Sequence, residues 1–188
     1  MSIDGTAALF LMLGQAAEKS LTSVDDVVPA ESLFLSVSYD LAPLVPDMVR
    51  RSTEAAEAYR LFFVFENYLR DLIVDVLAKD GQENWWDKVP TDIQFEVTKL
   101  EETEEMKAWM ALGSRDKSAL MTLPQLLKVI EQNWKGAFDE IVRDKSLVHE
   151  ARLIGHLRNT ICHMSTISSE ELDRIRQTMR DWFRIVAP

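Results

Sequence analysis

From Asp47 onward, apolar residues recur at spacings of three and four. Ala58, Leu61, Phe62, Phe65, Tyr68, Leu69, Leu72 and Val76 share one face, which predicts a helix of about thirty residues running to Ala78. Asp47 is placed to cap it, and Lys79-Asp80-Gly81 supplies a basic last turn and a glycine stop. The same periodicity predicts a helix from Thr91-Asp92 to about Leu112, then a polar connection from Gly113 to Met121. Thr122-Leu123-Pro124 opens the next helix, with Leu126, Leu127, Ile130 and Trp134 turned inward. Gly136 loosens the chain ahead of a short helical piece carrying Phe138, Ile141 and Val142. A further helix covers about Ser146 to Met164. Ser168 starts the last one, with Glu171 at the acid position of a capping box and Leu172, Ile175, Met179, Trp182, Phe183 and Val186 on its apolar face.

The first part of the chain is less regular. Residues 4 to 20 read as a helix ending in Thr22-Ser23-Val24-Asp25-Asp26. Pro29, Pro43 and Pro46 then break the chain, and Glu31 to Asp40 is open between a turn of helix and an extended segment. The expected organisation is an N-terminal helical extension over 1–46, packed on an all-α helical bundle over 47–188.

Composition supports one bundle with a real core. The chain has 188 residues, 47% hydrophobic and 28% charged, with only six Gly and six Pro. A single Cys excludes an internal disulfide framework and fits a reducing compartment, so a cytoplasmic location is expected. Ala7 to Leu13 is apolar enough for a signal-peptide core but lacks a basic flank. No other apolar run approaches the ~20 residues that span a bilayer, so no membrane partner is expected.

A net charge of −10 argues against coating nucleic acid by bulk electrostatics, yet permits a local basic cleft. Acid is concentrated in Glu101-Glu102-Thr103-Glu104-Glu105, most simply a solvated face rather than a metal site. Between Lys135 and Arg184 acids and bases nearly balance, and any RNA is expected to bind there. Trp85-Trp86 reads as a loop anchor, with base stacking the sharper alternative. Glu66 and Arg70, four apart, suit a surface ion pair; alternatively Glu66 orients a functional group from another helix.

The chemistry concentrates in Leu157-Arg158-Asn159-Thr160-Ile161-Cys162-His163-Met164. Leu147, Ala151, Ile154, Leu157 and Ile161 form the apolar stripe, with Arg152, His156, Asn159 and His163 opposite. Arg158 falls about 40° from Ile154, on the apolar side. A guanidinium cannot enter a dry core alone, so it either meets a carboxylate from another helix or lines a cleft. Arg158 and His163 lie about 140° apart on an ideal helix, which they can bridge only if the side chain curls or the helix is distorted or ends near His163. His149, His156 and His163 are spaced by about 10.5 Å, too far for one metal, so no metal or other cofactor is expected. Cys162 lacks the partners of a nucleophile. Without metal, an Arg, Asn and His set suits a phosphodiester: His takes a proton from a ribose 2′-hydroxyl, Arg holds the phosphate, and Asn orients either.

Arg158-Asn159-Thr160-Ile161-Cys162-His163 resembles the R-x4–6-H motif of the HEPN superfamily, the higher eukaryotes and prokaryotes nucleotide-binding domains. Its place just before the last helix is similar too. So are Phe65 to Ile73, Gly81 with Trp85-Trp86 and Val89-Pro90, Asn133-Trp134 to Phe138, and Met164 to Glu171. Together, over about 50–187, they look like the branch also found fused to a eukaryotic nuclear RNA-surveillance endonuclease. The resemblance implies a bundle that dimerises with its motif helices facing across the interface. It also implies a metal-independent endoribonuclease acting on RNA as a toxin, phage-defence or RNA-processing effector, sometimes beside an antitoxin or a larger defence protein. Arg158 and His163 would be its catalytic pair, with Asn159 the polar residue beside the arginine. The alternative is a non-catalytic HEPN module that binds RNA or protein.

Overall fold

The computed structural model describes residues 10, 12–17, 30–78, 84–106 and 116–186. The chain divides into two compact units, Met1–Thr53 and Glu54–Pro188. The division falls inside the first long helix, a little beyond the proline-marked boundary at 46.

In the first unit, residues 12–17 are helical. The ambiguous stretch before Pro43 resolves as extended: β1 (Phe34–Ser36) pairs antiparallel with β2 (Tyr39–Asp40). Asp40 holds this small hairpin, its Oδ1 accepting from the amides of Leu33 at 2.8 Å and Ala42 at 3.0 Å. The amide bonds from Ala42 and then Leu33 lower the Asp40 pKa, because they favour the charged carboxylate.

The long helix α1 (Pro46–Ala78) leads into the second unit, where the rest is all-α. A 3₁₀ turn at Trp85–Lys88 precedes α2 (Thr91–Met106), and another at Lys117–Leu120 precedes α3 (Leu123–Gln132). The expected stop at Lys79-Asp80-Gly81, residues 107–112 of the expected second helix and the first three residues of the Gly113–Met121 connection lie outside the described residues. At α3 the Thr122 amide donates to Gln125 Oε1 at 2.8 Å, and Pro124 sits in the first turn, as the sequence indicated. A π-turn at Trp134–Phe138 opens where Gly136 takes φ 82°, ahead of the short α4 (Asp139–Val142). Then come α5 (Ser146–Cys162) and α6 (Ser169–Val186). The capping box of α6 is half made. The Glu171 amide donates to Ser168 Oγ at 3.3 Å, but the Glu171 carboxylate turns to Arg174 at 3.5 Å instead.

The core forms because the apolar stripes of these helices meet. Phe65, Leu69, Ile73 and Leu77 of α1 are buried with Leu126, Leu127 and Ile130 of α3, Ala151 and Ile154 of α5, and Ile175 and Trp182 of α6. Helix α5 packs between α3 and α6. Phe65 meets Trp182 edge-on at 5.5 Å, and Tyr68 meets Phe183 at 4.9 Å, which fixes α1 against α6. The tryptophans of the first 3₁₀ turn pack against this core and against each other at 5.4 Å, and Lys117 Nζ lies 4.8 Å from the Trp86 ring centre. They anchor their connection. Among the described residues, no helix is long and apolar enough to cross a membrane.

Candidate active site

Glu66 lies at the edge of the α1 stripe, between Phe62, Phe65 and Leu69, and is only 6% exposed. A carboxylate at that depth needs compensation. It finds two guanidinium groups, one on each oxygen. Arg70 Nη2, one turn along α1, reaches Oε2 at 3.1 Å; Arg158 Nε, from α5, reaches Oε1 at 2.7 Å. The pair with Arg70 therefore forms at the expected spacing but not on the surface: packing of α5 across this flank of α1 buries it.

The two arginines are held differently. Arg70 is engaged at all three nitrogens: its Nε donates to the carbonyl of Ser118 at 3.1 Å, Nη2 also to that of Met121 at 3.3 Å, and Nη1 to Asn67 Oδ1 at 3.2 Å. The receiving turn is itself built, since Asp116 accepts from the Ser118 amide at 3.1 Å and from Ser118 Oγ at 2.7 Å. Arg70 thus ties α1 to the chain before α3 and has no nitrogen left over. Arg158 is 29% exposed at its side chain and engaged through Nε alone. Its two terminal nitrogens have no protein partner among the described residues. The bond with Glu66, against the opposing effect of burial, raises its pKa, so this group is cationic at every physiological pH.

Arg158 also borders a cavity of about 250 Å³. The polar wall is made by Glu66, Asn67, Arg70 and Arg158, and the apolar wall includes Tyr59 and Phe63. The two explanations for an arginine on an apolar stripe thus hold together: it meets a carboxylate from another helix, and the face lines a cleft. Glu66, Arg70 and Arg158 sum to one positive charge beside that cleft, in a chain of net charge −10.

Asn159 and His163 are not part of this wall. Both are exposed, Asn159 on α5 and His163 just past its end. The helix ends at Cys162, and His163 occupies the cap position, its amide donating to the Asn159 carbonyl at 3.0 Å. Met164 follows at φ 59°, a left-handed conformation costing an L residue roughly 1 kcal/mol, and it turns the chain sharply away after His163. The imidazole makes no hydrogen bond among the described residues. Cys162 is exposed and lines the cavity. Among the described residues, no group of three or more His, Cys, Asp or Glu is placed to hold a metal ion.

Sequence reasoning missed Tyr59 and Phe63. They are four residues apart on α1, just outside the core stripe, with ring centres 6.3 Å apart, and are 56% and 58% exposed. An i, i+4 aromatic pair left off an otherwise complete stripe is the signal that marks them.

A family model described as Swt1-like HEPN matches residues 60–187. No curated protein and no solved structure matches the chain. The match includes Glu66, Arg70 and the whole Arg158–His163 motif. HEPN domains are all-α, often bind RNA and dimerise, and have nuclease or RNA-related roles in general. With a matched span well over half of the chain and the helical bundle that such domains share, the protein belongs to the HEPN superfamily, in its Swt1-like family.

Proposed function

We propose that this chain is a metal-independent endoribonuclease, and that Arg158, Asn159 and His163 carry the reaction. The observation that carries the reading is the state of Arg158. Glu66 grips it from behind through Nε, while both terminal nitrogens are left to a ligand at the edge of a cavity. A guanidinium fixed by one edge is preorganised to receive a phosphate on the other, without the entropy loss of ordering a free side chain. His163 serves as the base that removes the proton from the ribose 2′-hydroxyl. The 2′-oxygen then attacks phosphorus, the bond to the 5′-oxygen breaks, and that oxygen takes up a proton as it leaves. The products are a 2′,3′-cyclic phosphate and a 5′-hydroxyl. Arg158 neutralises the charge that grows on the non-bridging oxygens, and Asn159 orients the phosphate or the imidazole.

His163 lies outside the cavity wall, at the exposed end of α5. A homodimer with the motif helices facing each other places the histidine of one copy beside the arginine of the other. That arrangement removes the angular mismatch between the two residues within a single helix. Cellular roles in keeping with this activity are those of a toxin, a phage-defence effector or an RNA-processing enzyme acting in the cytoplasm, partnered by an antitoxin or a larger defence protein.

The competing reading is a non-catalytic module that binds RNA or protein. It draws on the same geometry, because a partnered Arg158 and an outward His163 are also what an inactive bundle presents. RNA cleavage in EDTA separates the two. The wild type is expected to cut RNA but not DNA of the same sequence, and folded Arg158→Ala and His163→Ala variants to lose at least a hundredfold in rate. A folded wild-type dimer that leaves both structured and unstructured RNAs intact decides for the binding module.

A further inference from the structure

We infer that the cavity between α1 and α5 is a subsite for one unpaired nucleobase, stacked on Tyr59 and Phe63, with the phosphate of the same nucleotide on Arg158. The inference rests on Arg158 being a phosphate ligand and adds the class of substrate: RNA whose target nucleotide is single-stranded or splayed out of a helix.

Three features converge on this ligand. The first is a pair of aromatic rings, more than half exposed, that the core does not use. Ring faces in water at the lip of a cleft are what a base covers when it leaves its own stack. The second is charge. The Arg158 end of the cleft offers up to four N–H donors and one net positive charge, whereas the ring end is neutral, which matches a nucleotide's charged and flat halves. The third is what the wall lacks. Asn67 already donates Nδ2 to the Phe63 carbonyl at 2.7 Å and accepts from Arg70, and Glu66 is divided between two arginines. The polar groups best placed to read a base edge are therefore already engaged. The subsite selects an accessible base over a paired one, with little preference among the four bases. A duplex is excluded because its bases keep their faces covered.

Cys162 provides a readout independent of catalysis. It is the only cysteine in the chain, it is exposed, and it lines the same cavity. The experiment uses the full chain carrying His163→Ala, so that RNA is bound and not cut. It measures the rate of Cys162 alkylation, and binding by fluorescence anisotropy, with a mixed-sequence oligoribonucleotide single-stranded or annealed to its complement. The single strand is expected to slow alkylation severalfold and to bind at least tenfold more tightly than the duplex. Tyr59→Ala and Phe63→Ala are each expected to weaken single-strand binding by about tenfold, while Tyr59→Phe and Phe63→Tyr restore it. Both positions are solvent-exposed, and unchanged thermal melting establishes that the alanine variants are folded. Equal binding of single strand and duplex, alanine variants that bind as the parent does, or no protection of Cys162 each overturn the subsite. The endoribonuclease reading is tested separately. If Tyr59→Ala and Phe63→Ala, in the chain that keeps His163, cut RNA as fast as the wild type, the subsite fails and the nuclease stands. If RNA binds through the rings but is never cut, the nuclease fails and the subsite stands.

Discussion

Replacing Glu66 with glutamine preserves the shape of the side chain but removes its charge. A carboxylate gives each guanidinium an acceptor; an amide offers one oxygen and one nitrogen, so one arginine must face a donor. The site cannot relax by exchange with water, because Glu66 is 6% exposed. Hydrogen bonds to charged groups contribute roughly 1.5–3 kcal/mol each; here one is lost outright and the other becomes charged-to-neutral. Arg158, with 29% of its side chain exposed, rehydrates more readily than Arg70 at 15%, and Arg70 keeps its three carbonyl partners. The full cost of stranding a buried ion is therefore not reached. The expected loss is roughly 2–3 kcal/mol, or a fall in Tm of roughly 5–10 °C for a chain of this size. Urea denaturation measures it: the midpoint should fall with the slope unchanged. Added salt should leave the wild-type contribution nearly intact, because a buried pair is little screened. A loss below about 0.5 kcal/mol, or one that high salt abolishes in the wild type, is the behaviour of an exposed pair and would refute this account of Glu66.

Two further predictions follow from the backbone and the core. Gly136 sits at φ 82° with open space where a Cβ would project, so Gly136→Ala meets no steric neighbour and incurs only the backbone cost, roughly 1–2 kcal/mol by urea midpoint; equal stability of the two proteins would contradict this. Burial raises the Tyr68 pKa, so in the folded state the hydroxyl holds its proton above the unfolded value of about 10. Stability from this group is complete below that pH and is lost as pH rises through the folded pKa, so the wild type should lose stability between pH 9 and 11 more steeply than Tyr68→Phe. Parallel profiles would sink that assignment.

The framework of the bundle was legible because its helices obey one period. The α1 stripe, the proline start of α3 and the glycine interruption at 136 each give a local signal that tertiary packing had no reason to override. The odd position of Arg158 was legible for the same reason, since a charge on an apolar stripe demands an explanation. A contact from Glu66 to a functional group on another helix was legible only as the alternative to its pair with Arg70; that both hold at once, at depth, was not. An i, i+4 pair specifies two neighbours on one helix, and nothing in its spacing says that α5 will cross over it. The carbonyls of Ser118 and Met121 that complete Arg70 were equally hidden, because backbone acceptors carry no sequence signature. The hairpin at Phe34 to Asp40 escaped because a strand of three residues is too short for alternation to register. Half of the α6 capping box failed to a local competitor: the Glu171 carboxylate is drawn to Arg174, three residues along the same helix.

The shared glutamate also bears on how quickly a polyanion arrives. At low ionic strength, where the Debye length reaches about 30 Å, RNA approaching from a distance meets the field of a chain carrying −10 and is repelled. Only within a few ångströms does the local excess of one guanidinium dominate. Encounter and capture then respond to salt with opposite signs. Raising ionic strength from very low values lifts the long-range barrier and quickens association, while higher salt weakens the final contact and hastens release. The ionic-strength profile for such a ligand passes through a maximum, in place of the steady decline of a basic nucleic-acid binder. With only one arginine beside Glu66 instead of two, the cleft would be neutral and only the repulsion would remain.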